Sequence, residues 1–108
     1  MSEKIVELND EDFQSFVEDN ERVLVDFWAT WCGPCMAVKP TFEDLAEQYG
    51  DVNFAKVNIE ENNMIANRYG IQAIPAFLFF EDGQVVGQAQ GALSKDQFAK
   101  KIEDSFNL

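Results

Sequence analysis

Two cysteines are the only thiols in the chain, and they sit three positions apart in Trp31-Cys32-Gly33-Pro34-Cys35. Thiols one helical turn apart have Cα atoms roughly 5–6 Å apart, the separation a disulfide requires. The stretch that follows reads as a helix, so Cys32 falls at or before its first turn, facing solvent. Unpaired backbone N–H groups and the positive end of the helix dipole stabilise a thiolate there. A thiolate beside a second thiol attacks a disulfide and is released when its neighbour attacks the mixed disulfide. Cys32 is therefore the candidate nucleophile, and Cys35, one turn inside, the candidate resolving thiol. Two other uses of such a pair stay open. A passive bridge across so short a loop constrains the unfolded chain little. A structural zinc site wants four ligands, and here there are two thiols and no imidazole, so only a dimer could supply four, as for an iron–sulfur cluster. The preferred reading holds no metal.

The residues between and before the thiols bear on the same chemistry. Pro34 suits a first helical turn, where its missing N–H is no loss. Gly33 allows another backbone to approach closely. Asp26 interrupts the apolar run Val23-Leu24-Val25-Asp26-Phe27-Trp28. Strand alternation alone would permit it to face solvent, but a run apolar on both faces argues for burial, and a charge is rarely buried without a partner.

The elements that must position these groups follow from pattern. Lys4–Leu8 reads as a short strand. Asn9 is expected to cap a first helix, with Asp10, Glu11 and Asp12 in its first turn and Phe13, Phe16 and Val17 on its buried face. Val23–Trp28 is a strand covered on both sides. Cys35, Val38, Phe42, Leu45, Ala46 and Tyr49 recur at helical spacing to about Gly50, with Pro40 inside, where it should kink the helix. Asn53–Ile59 alternates as a strand, and Asn63–Tyr69 is a short helix stopped by Gly70. Ala76–Phe80 and Val85–Gln90 flank Asp82-Gly83, a two-residue hairpin signal. Ser94-Lys95-Asp96-Gln97 is a capping box opening a last helix that buries Phe98, Ile102 and Phe106. The order β-α-β-α-β-α-β-β-α gives a layered α/β fold whose last hairpin makes the sheet mixed. Strand order is not readable from pattern.

The chain's 108 residues suffice for one compact domain, so 1–108 is read as a single domain. Its net charge of −12 argues against nucleic acid, whose binders present a basic face. Met1–Glu7 has too short an apolar stretch for a signal peptide. No segment approaches the roughly 20 apolar residues of a membrane span, so no membrane association is expected. A cytoplasmic setting follows, and in a reducing compartment a lone cysteine pair is catalytic or metal-binding rather than structural.

Val25-Asp26-Phe27-Trp28-Ala29 leads into the Cys32–Cys35 motif. Pro40, Ala55-Lys56-Val57, Tyr69-Gly70-Ile71, Ile74-Pro75 and Gly91-Ala92-Leu93-Ser94-Lys95 follow in order. With these landmarks at family-like spacing over nearly all its length, the chain closely resembles the thioredoxin family. The resemblance implies the thioredoxin fold, an α/β architecture with a central mixed five-stranded sheet in the order 1-3-2-4-5 flanked by four helices. It implies a thiol–disulfide oxidoreductase that reduces protein disulfides through a reversible Cys32–Cys35 pair. Such a protein is re-reduced by a thioredoxin reductase, needs no bound cofactor and acts as a monomer. It also implies that Asp26 lies beneath Cys35 and moves its proton, with Lys56 beside it. Pro75 is expected to be cis and to face the cysteines. Trp31, Gly33, Pro34, Ile74, Pro75, Gly91 and Ala92 would then form a small apolar docking surface rimmed by acids. The alternatives are that Lys56 is an ordinary solvated strand lysine and Gly91 a simple loop glycine.

Two positions depart from the family pattern. Met36 stands where many members carry lysine, and Ala73 where glycine is common. A fold of this kind could also serve as a binding subunit, or as an oxidase or isomerase. Insulin reduction separates the first alternative, and the reduction potential the second.

Overall fold

The computed structural model describes residues 4–108; residues 1–3, part of the stretch judged not to be a signal peptide, lie outside it. The elements are β1 (Ile5–Glu7), α1 (Phe13–Asp19), β2 (Arg22–Trp28), α2 (Gly33–Gln48), β3 (Asn53–Asn58), α3 (Asn63–Arg68), β4 (Ala76–Glu81), β5 (Gln84–Gln90) and α4 (Lys95–Phe106). The strands form one sheet in the order β1-β3-β2-β4-β5. β3 runs parallel to β1 and β2, while β4 runs antiparallel to β2 and β5. The order expected from the resemblance is the order observed.

Strand alternation sorts the core into two layers. Leu24, Phe54, Phe77 and Phe79 point to one face, where they meet Val38, Phe42 and Leu45 of α2 and Phe98, Ile102 and Phe106 of α4. Val23, Val25, Phe27, Val57, Leu78 and Phe80 point to the other, against Phe13 and Val17 of α1 and Ile65 of α3. Aromatic edges interlock in the first layer, with Phe77 and Phe98 ring centroids 4.6 Å apart and Phe42 and Phe54 5.1 Å apart. By the same alternation Asp26 shares the α2 face with Leu24, which places the carboxyl under the helix that carries the cysteines.

Local chemistry sets the element ends. The capping box forms: Ser94 Oγ accepts from the Gln97 N–H at 3.2 Å, and Gln97 Oε1 accepts from the Ser94 N–H at 3.0 Å. Asp82 and Gly83 both take positive φ, 52° and 82°, which closes the hairpin with Glu81 opposite Gln84. Pro40 lies within α2 without ending it. One expectation fails. Asn9 does not cap α1, which begins at Phe13 with no acidic residue in its first turn. Instead Asn9 Oδ1 accepts from the N–H groups of Glu11 and Asp12 at 2.9 Å each, and Asp12 Oδ1 accepts from the Asn9 N–H at 2.7 Å. The competing side-chain bonds close a separate turn over the three acids and delay the helix. Phe16 is only half-buried.

Candidate active site

Cys32 is the N-cap residue of α2, with extended backbone, and Gly33 and Pro34 form the helix's opening. Cys32 and Cys35 are joined in a disulfide, with Cα atoms 5.2 Å apart. Cys32 Sγ accepts from the Cys35 N–H at 3.1 Å, so one of the orphan donors of the helix start already points at the sulfur proposed to carry negative charge. The expected contrast in exposure is not found. Cys32 is 4% exposed and Cys35 2%, because the bridge turns both sulfurs onto Ala29, Trp28, Ile59 and Ile74. The asymmetry between them lies in position: one is at the cap, the other a turn inside.

The loop before β4 closes over the pair. The Ile74–Pro75 peptide bond is cis. The Ile74 carbonyl oxygen lies 3.7 Å from Cys32 Sγ. The Gly91 N–H donates to the Pro75 carbonyl at 2.9 Å, which brings the end of β5 alongside. Gly91 has φ of 91°, and a Cβ placed on it would touch nothing within 4 Å. Its glycine therefore answers to backbone conformation, and the space above it is open. The space over Gly33 is open as well. Trp31 is 69% exposed, Pro34 and Ala92 are exposed, Ile74 is half-buried and Pro75 buried. Thus Ile74 lies directly beside Cys32, Pro75 follows it through the cis bond and Gly91 is tied to Pro75, while Trp31 stands out from the surface on the chain just before Cys32.

Behind the pair lies Asp26, only 7% exposed. Its Oδ1 is buried with no protein hydrogen-bond partner. Burial pushes the carboxyl up from 3.8 to about 7, and the Lys56 charge opposes part of that rise. Asp26 and Lys56 are register partners across β2 and β3. They form no ion pair among the described residues; the Lys56 ammonium lies over the Trp28 ring instead, 5.6 Å from its centroid. The Lys56 charge thus opposes the rise of Asp26 without an ion pair between them. A cleft of about 30 Å³ is lined by Asp26, Cys35, Trp28, Met36, Lys39 and Lys56, among others. At that size it has room for a water molecule. Lys39, one turn beyond Met36, supplies a cation to this cleft that the sequence reading did not assign. No cluster of three or more His, Cys, Asp or Glu side chains suited to a metal occurs among the described residues. No helix among them is long and apolar enough to cross a membrane.

Residues 4–104 match the family model for thioredoxin. The chain belongs to the thioredoxin family. It is 48% identical over 103 residues to a thioredoxin of Chlorobaculum thiosulfatiphilum, covering 94% of this chain and 95% of that one. It is 46% identical over 106 residues to thioredoxin 2 of Chlorobaculum tepidum, covering 96% and 97%. Its structure is similar to that of oxidised mitochondrial thioredoxin 3 of Saccharomyces cerevisiae, with a TM-score of 0.86, 36% identity and coverage of 93% and 94%. As a member of this family the protein is a thiol–disulfide oxidoreductase acting on protein disulfides, with Cys32–Cys35 as its redox-active pair.

Proposed function

We propose that Cys32 is the attacking thiol, Cys35 the resolving thiol and Asp26 the base in a two-step reduction of target proteins. The Cys32 thiolate attacks one sulfur of a target disulfide. The other target sulfur leaves as a thiolate and takes a proton from solvent. Asp26 then accepts the Cys35 proton through the shared cleft, and the Cys35 sulfur attacks Cys32. The second target sulfur is expelled, and the Cys32–Cys35 disulfide remains. Two electrons pass from the dithiol to the target, and no bound cofactor or metal takes part. The observation that carries this reading is the placement of an unpartnered carboxyl, pushed up to about 7, on the same cleft as Cys35. A base that titrates near the working pH transfers protons most effectively.

The target would lie as an extended strand along the edge beside Pro75, covering Gly33, Pro34, Ile74, Gly91 and Ala92 and touching Trp31. The open space over Gly33 and Gly91 supports this. Lys56 keeps Asp26 from rising further. The protein works as a cytoplasmic monomer and is returned to its dithiol form by a thioredoxin reductase; the family resemblance supports each of these. Insulin reduction with dithiothreitol as donor tests the scheme. Cys32→Ser should abolish turnover. If iodoacetamide modifies Cys35 before Cys32 in the reduced protein near neutral pH, the assignment of roles is wrong.

A further inference from the structure

Glu60 follows β3 by two residues, and its carboxylate reaches across to the loop that carries the cysteine motif. Glu60 Oε1 accepts from the Thr30 N–H at 2.8 Å and from the Thr30 hydroxyl at 2.8 Å. Thr30 directly precedes Trp31, whose side chain is 69% exposed and so has little packing to set its direction.

Glu60 is itself held in place. Asn58 is only 7% exposed, and its Oδ1 accepts from the Glu60 N–H at 2.9 Å. The Asn58 carbonyl accepts from the N–H groups of Glu61 and Asn62 at 3.2 and 3.1 Å, which tightens the turn. The Ile59 N–H donates to the Trp28 carbonyl at 2.9 Å and ties that turn to the end of β2. The Cys32 N–H donates to the Ala29 carbonyl at 3.2 Å, so Thr30 and Trp31 form the crest of a closed turn. The only side chain that grips this crest from outside belongs to Glu60, among the described residues. The two bonds also hold the Glu60 carboxyl below the usual glutamate range.

We propose that Glu60 is a positioning residue for target binding: its paired bonds to Thr30 fix the backbone from which Trp31 is presented to an incoming protein disulfide. The inference rests on the reading of Trp31 as a target contact. Glu60 touches neither sulfur and takes no part in proton transfer. Its effect is on binding, because a loose Trp31 must be ordered each time a target docks.

Steady-state reduction of insulin, with dithiothreitol as the reductant, tests this. Glu60→Ala should raise KM about three- to tenfold, the scale of losing hydrogen bonds to an exposed charged acceptor, with kcat changed less than twofold. Glu60→Gln keeps an acceptor oxygen in the same place and should retain the wild-type KM. Trp31→Ala should raise KM, and adding Glu60→Ala to it should raise KM no further, since both changes remove the same contact. Amide exchange of Thr30 should be slow in the wild type and in Glu60→Gln, and fast in Glu60→Ala. If Trp31→Ala raises KM but Glu60→Ala does not, the positioning role is wrong. Equal effects of Glu60→Gln and Glu60→Ala would mean that charge, not position, matters, and would overturn it too. If Trp31→Ala leaves KM unchanged, the docking reading has failed and the role of Glu60 falls with it.

Discussion

Replacing Asp26 with alanine should make the oxidised protein more stable at neutral pH. Burial raises the carboxyl from 3.8 to about 7. A carboxyl whose pKa is higher in the folded state binds its proton more tightly there than in the unfolded chain. Its contribution is fully present below about pH 4 and is lost as pH rises through about 7. At about 1.4 kcal/mol per pH unit, the ionised group lowers stability by about 4 kcal/mol once the loss is complete. Asp26 is 7% exposed, so solvent screens little of this. Truncation to alanine also leaves a small void, which costs about 1 kcal/mol at any pH. The variant should therefore be about 3 kcal/mol more stable than wild type at pH 8 and slightly less stable, by about 0.5 kcal/mol, at pH 4. With a urea slope of about 1–3 kcal/mol per molar, the midpoint at pH 8 rises by about 1–3 M. Urea unfolding of both proteins from pH 4 to pH 8 measures this, and subtracting the two curves removes every group they share. A difference that stays flat across that range would refute the claim that Asp26 is a buried carboxyl with a raised pKa. The same variant should release mixed disulfides more slowly at pH 7.

Other outcomes follow from named contacts. Lys56→Met removes the charge that opposes the rise of Asp26, so the Asp26 carboxyl carbon should titrate at higher pH by NMR; an unchanged midpoint would show that Lys56 does not act on it. Ser94→Ala removes one arm of the capping box and should cost about 1 kcal/mol in urea unfolding, with faster amide exchange confined to the first turn of α4. Gly87→Ala would drive a Cβ into Ser105, whose own Cβ would stand 3.0 Å away and cannot rotate aside. It should cost about 1–3 kcal/mol, relieved in part by Ser105→Gly, and an undiminished urea midpoint would show that β5 and α4 shift apart freely.

Much of the fold could be read from short-range pattern because short-range chemistry decides it. Ser94 and Gln97 cap each other three residues apart, and Asp82-Gly83 adopts the two positive φ angles that only a few residue types favour. The apolar run around Asp26 announced a strand covered on both sides, and the structure buries it. Helix α1 was misplaced for a physical reason: Asn9 and Asp12 bond each other's backbone, and nothing in the spacing shows that this turn outcompetes a helical one. The strand order and the cis bond before Pro75 came from family resemblance, since neither leaves a local signature. Glu60 and Thr30 are 30 residues apart and meet only because β2 and β3 are neighbours, so no motif marks them. The contrast in exposure between Cys32 and Cys35 also could not be judged from sequence. It depends on how the bridge folds onto Ile74 and Ile59, and those contacts exist only in the tertiary structure.

The division of labour between the two cysteines is tested most directly by intact-mass analysis of the single-serine variants after incubation, reduced, with insulin. Cys35→Ser should accumulate one disulfide-linked insulin molecule per protein molecule, attached at Cys32, because the thiol that would expel it is gone. Cys32→Ser should accumulate none on the same timescale. A stable adduct on Cys35 in the Cys32→Ser protein, with none on Cys32 in the Cys35→Ser protein, would contradict the mechanism.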